Sequence, residues 1–359
     1  MQWCEKRSRA PWRNDRSCCP GSASSCWASA ALAEEPKLEV ESYLIPSADP
    51  GIQLYIRNKH PAGVTSYSAD KILLYVHGAT YPAETAFDLP LNGRSMMDYI
   101  AQQGFDVYLV DVRGYGGSTR PPEMEKPAAE NGPIVDTTVA VKDVGAAVSH
   151  ILQKRGVTRI NLMGWSWGTA IMGMYTTEHN DRVNRLVLYA PLWIFTTRPL
   201  IGGTAPLGAY RTVTKEAAKQ RWLNGVPESK MAELIPSGWF EQWADATWLT
   251  DPVGSKQTPP VVRAPNGVLQ DLRTYWTAGK AHYDPGDIRV PTLIVHAEWD
   301  ADLPSDQAQA YFAKLTNAPY KRFVEIGEGT HSIIMEKNRM QFFREVTNFL
   351  NEADVLSLN

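Results

Sequence analysis

Short, largely apolar runs recur along this chain and constrain its fold more than any other feature. Six of them have the length of a strand: Ile72–Val76, Val107–Val110, Ile160–Met163, Leu186–Tyr189, Thr292–Val295 and Arg322–Ile326. Runs of this kind fit strands that are buried on both faces of a parallel sheet. Helical patterns lie between or after them, at residues 91–103, 137–155, 167–178 and 338–351. Strand alternating with helix predicts an α/β protein with a doubly wound, mostly parallel sheet.

Two further strands are predicted ahead of this alternation, at Leu38–Ile45 and Ile52–Asn58. The residues between them, Ser47 to Gly51, are typical of a tight turn and predict an antiparallel hairpin. With the six apolar runs, the hairpin makes a sheet of eight strands.

The alternation breaks between residues 195 and 285, in a long stretch rich in Pro, Gly and Trp with short helical pieces at 214–223 and 228–234. We therefore predict a core formed by residues 36–194 and 286–359. The 195–285 segment is predicted to be a helical cap or lid inserted between two strands of that core.

The first 35 residues differ from the rest. They begin with a basic stretch and end in Ala31-Leu32-Ala33, which are two of the three parts of a secretory signal peptide. The third part is weak, because residues 17–33 lack a leucine or valine run. A signal peptide predicts a periplasmic or secreted protein. The alternative is a disordered tail, as from a misplaced start codon, on a cytoplasmic protein.

Charge and cysteine content narrow the classes of partner. The net charge of −3 gives no indication of nucleic acid or of an anionic membrane surface, and no apolar run is long enough to span a membrane. All four cysteines lie in the first 26 residues, so the predicted core depends on no disulfide and no cysteine metal site.

The pentapeptide Gly164-Trp165-Ser166-Trp167-Gly168 follows one predicted strand and opens a helix. A sharp turn there holds a serine in a strained conformation with its hydroxyl exposed, and it needs glycine two residues to either side. The helix N-terminus directs amides and a positive dipole end at the serine. In this context the motif predicts that Ser166 is a nucleophile.

Further motifs resemble those of the α/β-hydrolase superfamily. His77-Gly78-Ala79 follows the strand at 72–76, where the superfamily has its oxyanion loop. The resemblance implies that the backbone N–H groups of Ala79 and Trp167 form an oxyanion hole and that His77 is structural. Asp111 to Ser118 resembles the superfamily's D-x-R-G-x-G-x-S turn, which implies an architectural role; the alternative, a phosphate-binding loop, lacks the lysine of a P-loop.

The other two members of a triad are assigned by the same resemblance. Asp300 and Pro304 fit the pattern G-x-x-D-x-x-x-P after the strand at 292–296, although Ala297 replaces the glycine. Asp300 is thus the expected acid, with Glu298 and Asp302 as competitors. His331 stands where the superfamily keeps its histidine. The chain order Ser166, Asp300, His331 is that of α/β hydrolases.

This resemblance implies a serine hydrolase that acts through an acyl-enzyme and needs no metal or organic cofactor. We expect hydrolysis of a carboxylic ester of a hydrophobic small molecule. The alternatives are an acyltransferase, hydrolysis of a lactone, thioester, amide or carbon–carbon bond on the same triad, and a non-catalytic binding protein.

Tryptophan is frequent, with twelve copies, and five fall between residues 220 and 280. These are Trp222, Trp239, Trp243, Trp248 and Trp276. They form either ordinary packing or an aromatic wall above the site. The resemblance also implies that Trp165, just before the serine, lines the pocket and contacts substrate; the alternative is that it packs under the inserted segment.

Overall fold

An eight-stranded sheet dominates the part of the chain that the structure, a computed structural model, describes: residues 35–196 and 203–353. Ten strands are formed there: Leu38–Pro46 (β1), Gln53–Pro61 (β2), Ile72–Val76 (β3), Asp106–Val110 (β4), Ile160–Trp165 (β5), Val183–Tyr189 (β6), Tyr210–Thr214 (β7), Val261–Pro265 (β8), Thr292–Ala297 (β9) and Lys321–Ile326 (β10). The large sheet has the order β1-β2-β4-β3-β5-β6-β9-β10, and β7 and β8 pair separately.

Ten α-helices accompany these strands within the described residues. They are Ala83–Phe87 (α1), Met96–Ala101 (α2), Thr137–Arg155 (α3), Trp167–Glu178 (α4), Lys215–Trp222 (α5), Met231–Leu234 (α6), Trp239–Leu249 (α7), Gly267–Thr274 (α8), Ser305–Lys314 (α9) and Arg339–Asn351 (α10).

The strands from β3 onward in the large sheet pair in parallel, whereas β1–β2 and β2–β4 are antiparallel. Every residue of β3, β4, β5 and β9 is buried, because helices cover both faces of the sheet. The predicted doubly wound, mostly parallel sheet is confirmed, and so is the antiparallel hairpin at its start.

Capping residues determine where helices α2 and α3 begin or end. Helix α3 begins after Asp136, whose side chain accepts the Val139 N–H, and ends at Gly156 with a positive φ of 66°. Helix α2 is shorter than the predicted 91–103. Ser95 and Asp98 form a capping box that fixes its start, and Asn92 before it has a left-handed φ of 49°.

The 195–285 segment contains helices α5 to α8 and also the antiparallel pair β7–β8, which the sequence did not predict. Within it, residues 197–202 lie outside the described residues. Several of its side chains contact the core. For example, Arg211 of β7 bonds to the loop after β3, and Arg221 of α5 pairs with Asp302 after β9. The segment therefore packs beside the carboxyl ends of the central strands.

The predicted signal peptide lies outside the described residues, so it stays a prediction. No helix within residues 35–196 and 203–353 is long and apolar enough to cross a membrane.

Candidate active site

Ser166 lies at the tight turn between β5 and α4. Its backbone has φ 57° and ψ −120°, a conformation that is strained for a residue with a Cβ. The Ser166 N–H donates to the carbonyl of Tyr189 over 2.9 Å, which ties the turn to the neighbouring strand β6. The turn projects the serine from the carboxyl end of the sheet at the first turn of a helix.

The two glycines of the pentapeptide are required by close approaches of backbone. A Cβ on Gly164 would lie 2.2 Å from the carbonyl oxygen of Gly168. A Cβ on Gly168 would lie 2.7 Å from the carbonyl oxygens of both Val76 and His77. Real Cβ atoms do not approach backbone oxygen so closely, so these positions exclude any side chain.

Asp300 and His331 are joined by a hydrogen bond of 2.8 Å between Oδ2 and Nδ1. The other carboxylate oxygen of Asp300 accepts the backbone N–H groups of Asp302 and Leu303, at 3.0 and 2.9 Å. Asp300 is buried and held at three points. This arrangement fixes the orientation of the His331 ring and leaves its Nε2 for another partner.

The electrostatics of this pair favour its charged forms. Burial opposes the charge on Asp300, but the charge and hydrogen bond of His331 outweigh it, and the pKa of Asp300 falls below its ordinary value. Burial likewise opposes the charge on His331, and the attraction and hydrogen bond of Asp300 outweigh it and raise its pKa. The pair is therefore suited to accept a proton on His331.

The backbone carbonyl of His331 receives two further hydrogen bonds. The indole Nε1 of Trp165 donates to it over 3.0 Å and the hydroxyl of Tyr189 over 2.5 Å. The Trp165 ring stacks on Tyr189 and its centroid lies 5.6 Å from that of His331. Trp165 thus has a positioning contact that sequence reasoning missed, in addition to its place in the cavity wall.

The loop after β3 lies against Ser166. A Cβ on Gly78 would be 3.1 Å from the Ser166 Cβ, so the loop approaches the serine because residue 78 has no side chain. His77 is fully buried, and its Nε2 accepts the Val112 N–H over 3.1 Å. Burial lowers the pKa of His77 to about 4. His77 therefore connects two loops as a neutral ring.

The carbonyl of Ala79 is held by two donors that sequence reasoning missed. Tyr115 Oη donates to it over 2.8 Å, and Nη2 of Arg211 donates over 2.6 Å and also bonds to Thr80 Oγ1 at 3.0 Å. Arg211 belongs to β7, far along the chain. Since both bonds hold the peptide next to the Ala79 N–H, they fix the direction in which that N–H points.

A buried glutamate joins α5 to the His331 loop. Glu336 is fully buried and accepts the Trp222 Nε1–H over 2.8 Å and the Thr330 N–H over 2.9 Å, together with the Thr330 hydroxyl. Burial raises the pKa of Glu336 to about 7. No local pattern marked Glu336, because its partners lie on two distant parts of the sequence.

The Asp111 to Ser118 turn is stabilised internally. Asp111 accepts the backbone N–H groups of Ala83 and Gly117, and burial raises its pKa to about 6. Arg113 forms a buried ion pair with Asp143 at 2.6 Å. These contacts match the architectural role that the resemblance implied, because the Asp111 carboxylate and the Arg113 guanidinium both bond to other groups of the protein.

The two competitors of Asp300 have other partners. Glu298 Oε2 accepts the Glu328 N–H over 2.9 Å. Asp302 forms an ion pair with Arg221, with Nε and Oδ2 2.8 Å apart, and both residues line the cavity next to Ser166. Arg221 is a further site residue that the sequence did not reveal, since nothing distinguishes it from a surface arginine on α5.

Ser166 and His331 line one cavity together with Ala79. Three tryptophans, Trp165, Trp222 and Trp243, form part of its wall. Trp167 lines a second, adjoining cavity, and its own indole donates to Thr137 Oγ1 over 2.9 Å. The structure thus brings all six sequence-predicted site residues to one region: Ser166, Asp300, His331, Ala79, Trp165 and Trp167.

The tryptophans of the 195–285 segment divide between the two predicted roles. Trp222, Trp243 and Trp276 line the cavities. Trp248 is buried and donates to the Pro260 carbonyl, and Trp239 lies beneath the guanidinium of Arg339, 4.4 Å from it.

A family model described as the alpha/beta hydrolase fold matches residues 71–338. No curated protein sequence matches the chain significantly.

Several solved structures are similar to this one. A 2-hydroxy-6-oxo-6-phenylhexa-2,4-dienoate hydrolase from Rhodococcus sp. aligns over 88% of this chain and 100% of its own, with a TM-score of 0.58 and 14% identity. An esterase from Exiguobacterium antarcticum aligns over 87% of this chain and 100% of its own, with a TM-score of 0.53 and 18% identity. An esterase from Thermogutta terrifontis aligns over 87% of this chain and 100% of its own, with a TM-score of 0.55 and 16% identity. Identities this low show a shared fold.

Proposed function

Because the chain belongs to the alpha/beta hydrolase fold family, we propose that it is a serine hydrolase that cleaves carboxylic esters of hydrophobic small molecules. The observation that carries this proposal is the Asp300–His331 hydrogen bond of 2.8 Å, with His331 and the strained Ser166 on one cavity wall. The esterases among the similar structures support the reaction class.

In the proposed first step, Ser166 Oγ attacks the ester carbonyl carbon and His331 Nε2 takes the hydroxyl proton. Asp300 holds the imidazole through Nδ1 and stabilises its protonated form. The negative charge that develops on the carbonyl oxygen is placed against the backbone N–H groups of Ala79 and Trp167. Donors preorganised in this way act on the transition state and are usually the largest contribution to catalysis.

The tetrahedral intermediate then collapses. The bond between the carbonyl carbon and the alcohol oxygen breaks, and His331 gives its proton to the departing alcohol. Ser166 is left as an ester of the acyl group. Water, deprotonated by His331, then attacks the acyl carbon. The bond from that carbon to Ser166 Oγ breaks, and His331 returns the proton to Oγ as the carboxylic acid leaves.

Covalent labelling tests the central claim. A fluorophosphonate probe should label the purified full chain, and Ser166→Ala should abolish both labelling and hydrolysis of a 4-nitrophenyl ester. Ser332→Ala, a neighbouring serine on the cavity wall, is the matched control and should still be labelled. Labelling that survives Ser166→Ala would refute the assignment.

Product analysis separates hydrolysis from acyl transfer. With an added primary alcohol, a hydrolase yields mainly the free acid, whereas an acyltransferase yields mainly the new ester. We expect the acid to dominate, because the esterases among the similar structures support hydrolysis as the reaction class.

A further inference from the structure

Two cavities meet at Ser166 and differ in the chemistry of their walls. The first, which we call the aromatic lobe, is built around Tyr81, Trp165, Trp222 and Trp243. The second, which we call the α8 lobe, is lined by branched aliphatic and by aromatic side chains. The aliphatic ones are Leu192, Val268, Leu269, Leu272 and Leu303, and the aromatic ones are Trp167, Phe195 and Trp276.

The two lobes share four residues: Ala79, Ser166, Arg221 and Asp302. The reacting carbonyl must lie at Ser166, so the two sides of an ester bond extend away from this junction in different directions. Arg221 and Asp302 neutralise one another there, at 2.8 Å. A balanced ion pair at the junction favours an uncharged polar group, such as the ester itself, over a charged arm.

The position of His331 indicates which side of the ester bond lies in which lobe. Its imidazole must protonate the leaving alcohol, so the alcohol oxygen lies within hydrogen-bond reach of that ring. His331 and the following Ser332 line the aromatic lobe, whereas Trp167, which offers an oxyanion donor, lines the α8 lobe. The alcohol side therefore points into the aromatic lobe and the acyl side into the α8 lobe.

The walls match two different kinds of group. In the aromatic lobe, Trp243 meets Trp222 at 90° and Tyr81 at 86°, with centroids 4.9 and 4.8 Å apart. An aromatic ring of a substrate can pack against these side chains in the same edge-to-face geometry. The α8 lobe has aromatic side chains as well, but its leucine and valine side chains add branched aliphatic contacts, which the aromatic lobe lacks.

We infer, on the basis of the proposed function, that the preferred substrate is an ester of an aliphatic carboxylic acid with an aromatic alcohol. The acyl chain lies against α8, and the aromatic alcohol lies among the tryptophans beside His331.

Two series of esters test this assignment in the full chain. One series keeps the butanoyl group and varies the alcohol from ethyl to benzyl to naphthylmethyl. The other keeps 4-nitrophenol and varies the acyl chain from two to ten carbons. We expect the wild-type kcat/KM to rise with aromatic alcohols in the first series.

One substitution in each lobe then separates the sides. Leu269→Ala enlarges the α8 lobe and should move the acyl optimum to longer chains, leaving the ranking of alcohols as it was. Ala218→Phe fills the aromatic lobe and should lower kcat/KM for the naphthylmethyl ester by roughly tenfold or more relative to ethyl, leaving the acyl optimum as it was. Exposed neighbours on the same helices, Gln270→Ala and Ala217→Phe, should alter neither ranking.

Fluorophosphonate labelling of each variant shows that it is folded and that Ser166 is reactive. If labelled variants exchange their effects, so that Ala218→Phe moves the acyl optimum and Leu269→Ala the alcohol ranking, the lobe assignment is wrong. A mixed effect of both variants on both series also overturns it. Either result leaves the proposed hydrolase intact, which fails only if Ser166→Ala retains labelling and hydrolysis.

Discussion

The indole of Trp165 donates a hydrogen bond of 3.0 Å to the backbone carbonyl of His331. The residue just before the candidate nucleophile thus positions the candidate base, 166 residues further along the chain. The Tyr189 hydroxyl bonds to the same carbonyl, so the histidine loop is held by side chains of two neighbouring strands, β5 and β6.

Trp165→Phe removes the indole donor and keeps an aromatic ring in the cavity wall. A neutral hydrogen bond contributes about 1 kcal/mol, so kcat should fall about fivefold. Steady-state kinetics of an aryl ester measure this change. Tyr189→Phe is the parallel variant, and the double variant should lose more than the product of the single effects, because each bond supports the loop when the other is missing. Strictly multiplicative effects would show that the two bonds act independently.

Asp300→Asn should lower kcat by roughly 10⁴-fold, because an amide cannot hold the imidazole in the tautomer that accepts a proton on Nε2. The matched control is Glu298→Gln, which changes the nearby carboxylate that bonds to the Glu328 N–H. We expect less than a twofold change in kcat for this control. A large loss in the control with little loss in Asp300→Asn would transfer the role of the acid to Glu298.

The activity should depend on pH through His331. Only the neutral imidazole accepts a proton, and Asp300 raises the pKa of His331 above its ordinary value of 6.5. The acid limb of kcat/KM should therefore have its midpoint above pH 6.5, with activity lost as the pH falls through it. In Asp300→Asn the residual activity should show this limb at lower pH. An unmoved limb would mean that another group titrates.

Gly164→Ala should destabilise the fold by about 3 kcal/mol or more, because its Cβ would lie 2.2 Å from the Gly168 carbonyl oxygen. Gly132→Ala is the control, since Gly132 is exposed and a Cβ there meets nothing within 4 Å. Its effect should stay within about 0.5 kcal/mol. Urea unfolding of both variants measures the difference, and equal stability of the two would contradict the steric reason given for the glycine.

Glu336 should make stability depend on pH. Its folded pKa of about 7 lies above the ordinary 4.5, so its protonated form stabilises the fold below pH 4.5, and this contribution is lost as the pH rises through 7. The integrated change is about 3 kcal/mol between these values. Glu336→Gln should remove it, so that the free energy of unfolding of the variant, relative to wild type, improves steadily from pH 4.5 to 7. A constant difference over this range would show that Glu336 does not titrate there.

The features that the sequence predicted are those with a local cause. The strand Ile72–Val76 and the helix Thr137–Arg155 were predicted with their observed bounds, because burial on both faces and capping by Asp136 and Gly156 act within a few residues. The pentapeptide around Ser166 was likewise predicted from the sequence, because its glycines are required by the geometry of a single turn.

The missed features depend on contacts between distant residues. Arg211 lies 132 residues from Ala79, and Trp222 lies 114 residues from Glu336. The pairing of β7 with β8 joins strands separated by three helices, and neither strand has a strong periodicity. Such contacts are set by the folded arrangement of the whole chain, and no short pattern signals them.

The hydrogen bond from Arg211 to the Ala79 carbonyl has a consequence for engineering. The guanidinium comes from the inserted 195–285 segment, but it aligns a peptide of the core next to Ser166. An exchange of this segment for that of a related protein would change not only which molecules enter but also how fast the bond-breaking step runs. Chimeras that are meant to transplant selectivity will need an arginine at the equivalent point of the graft to preserve turnover.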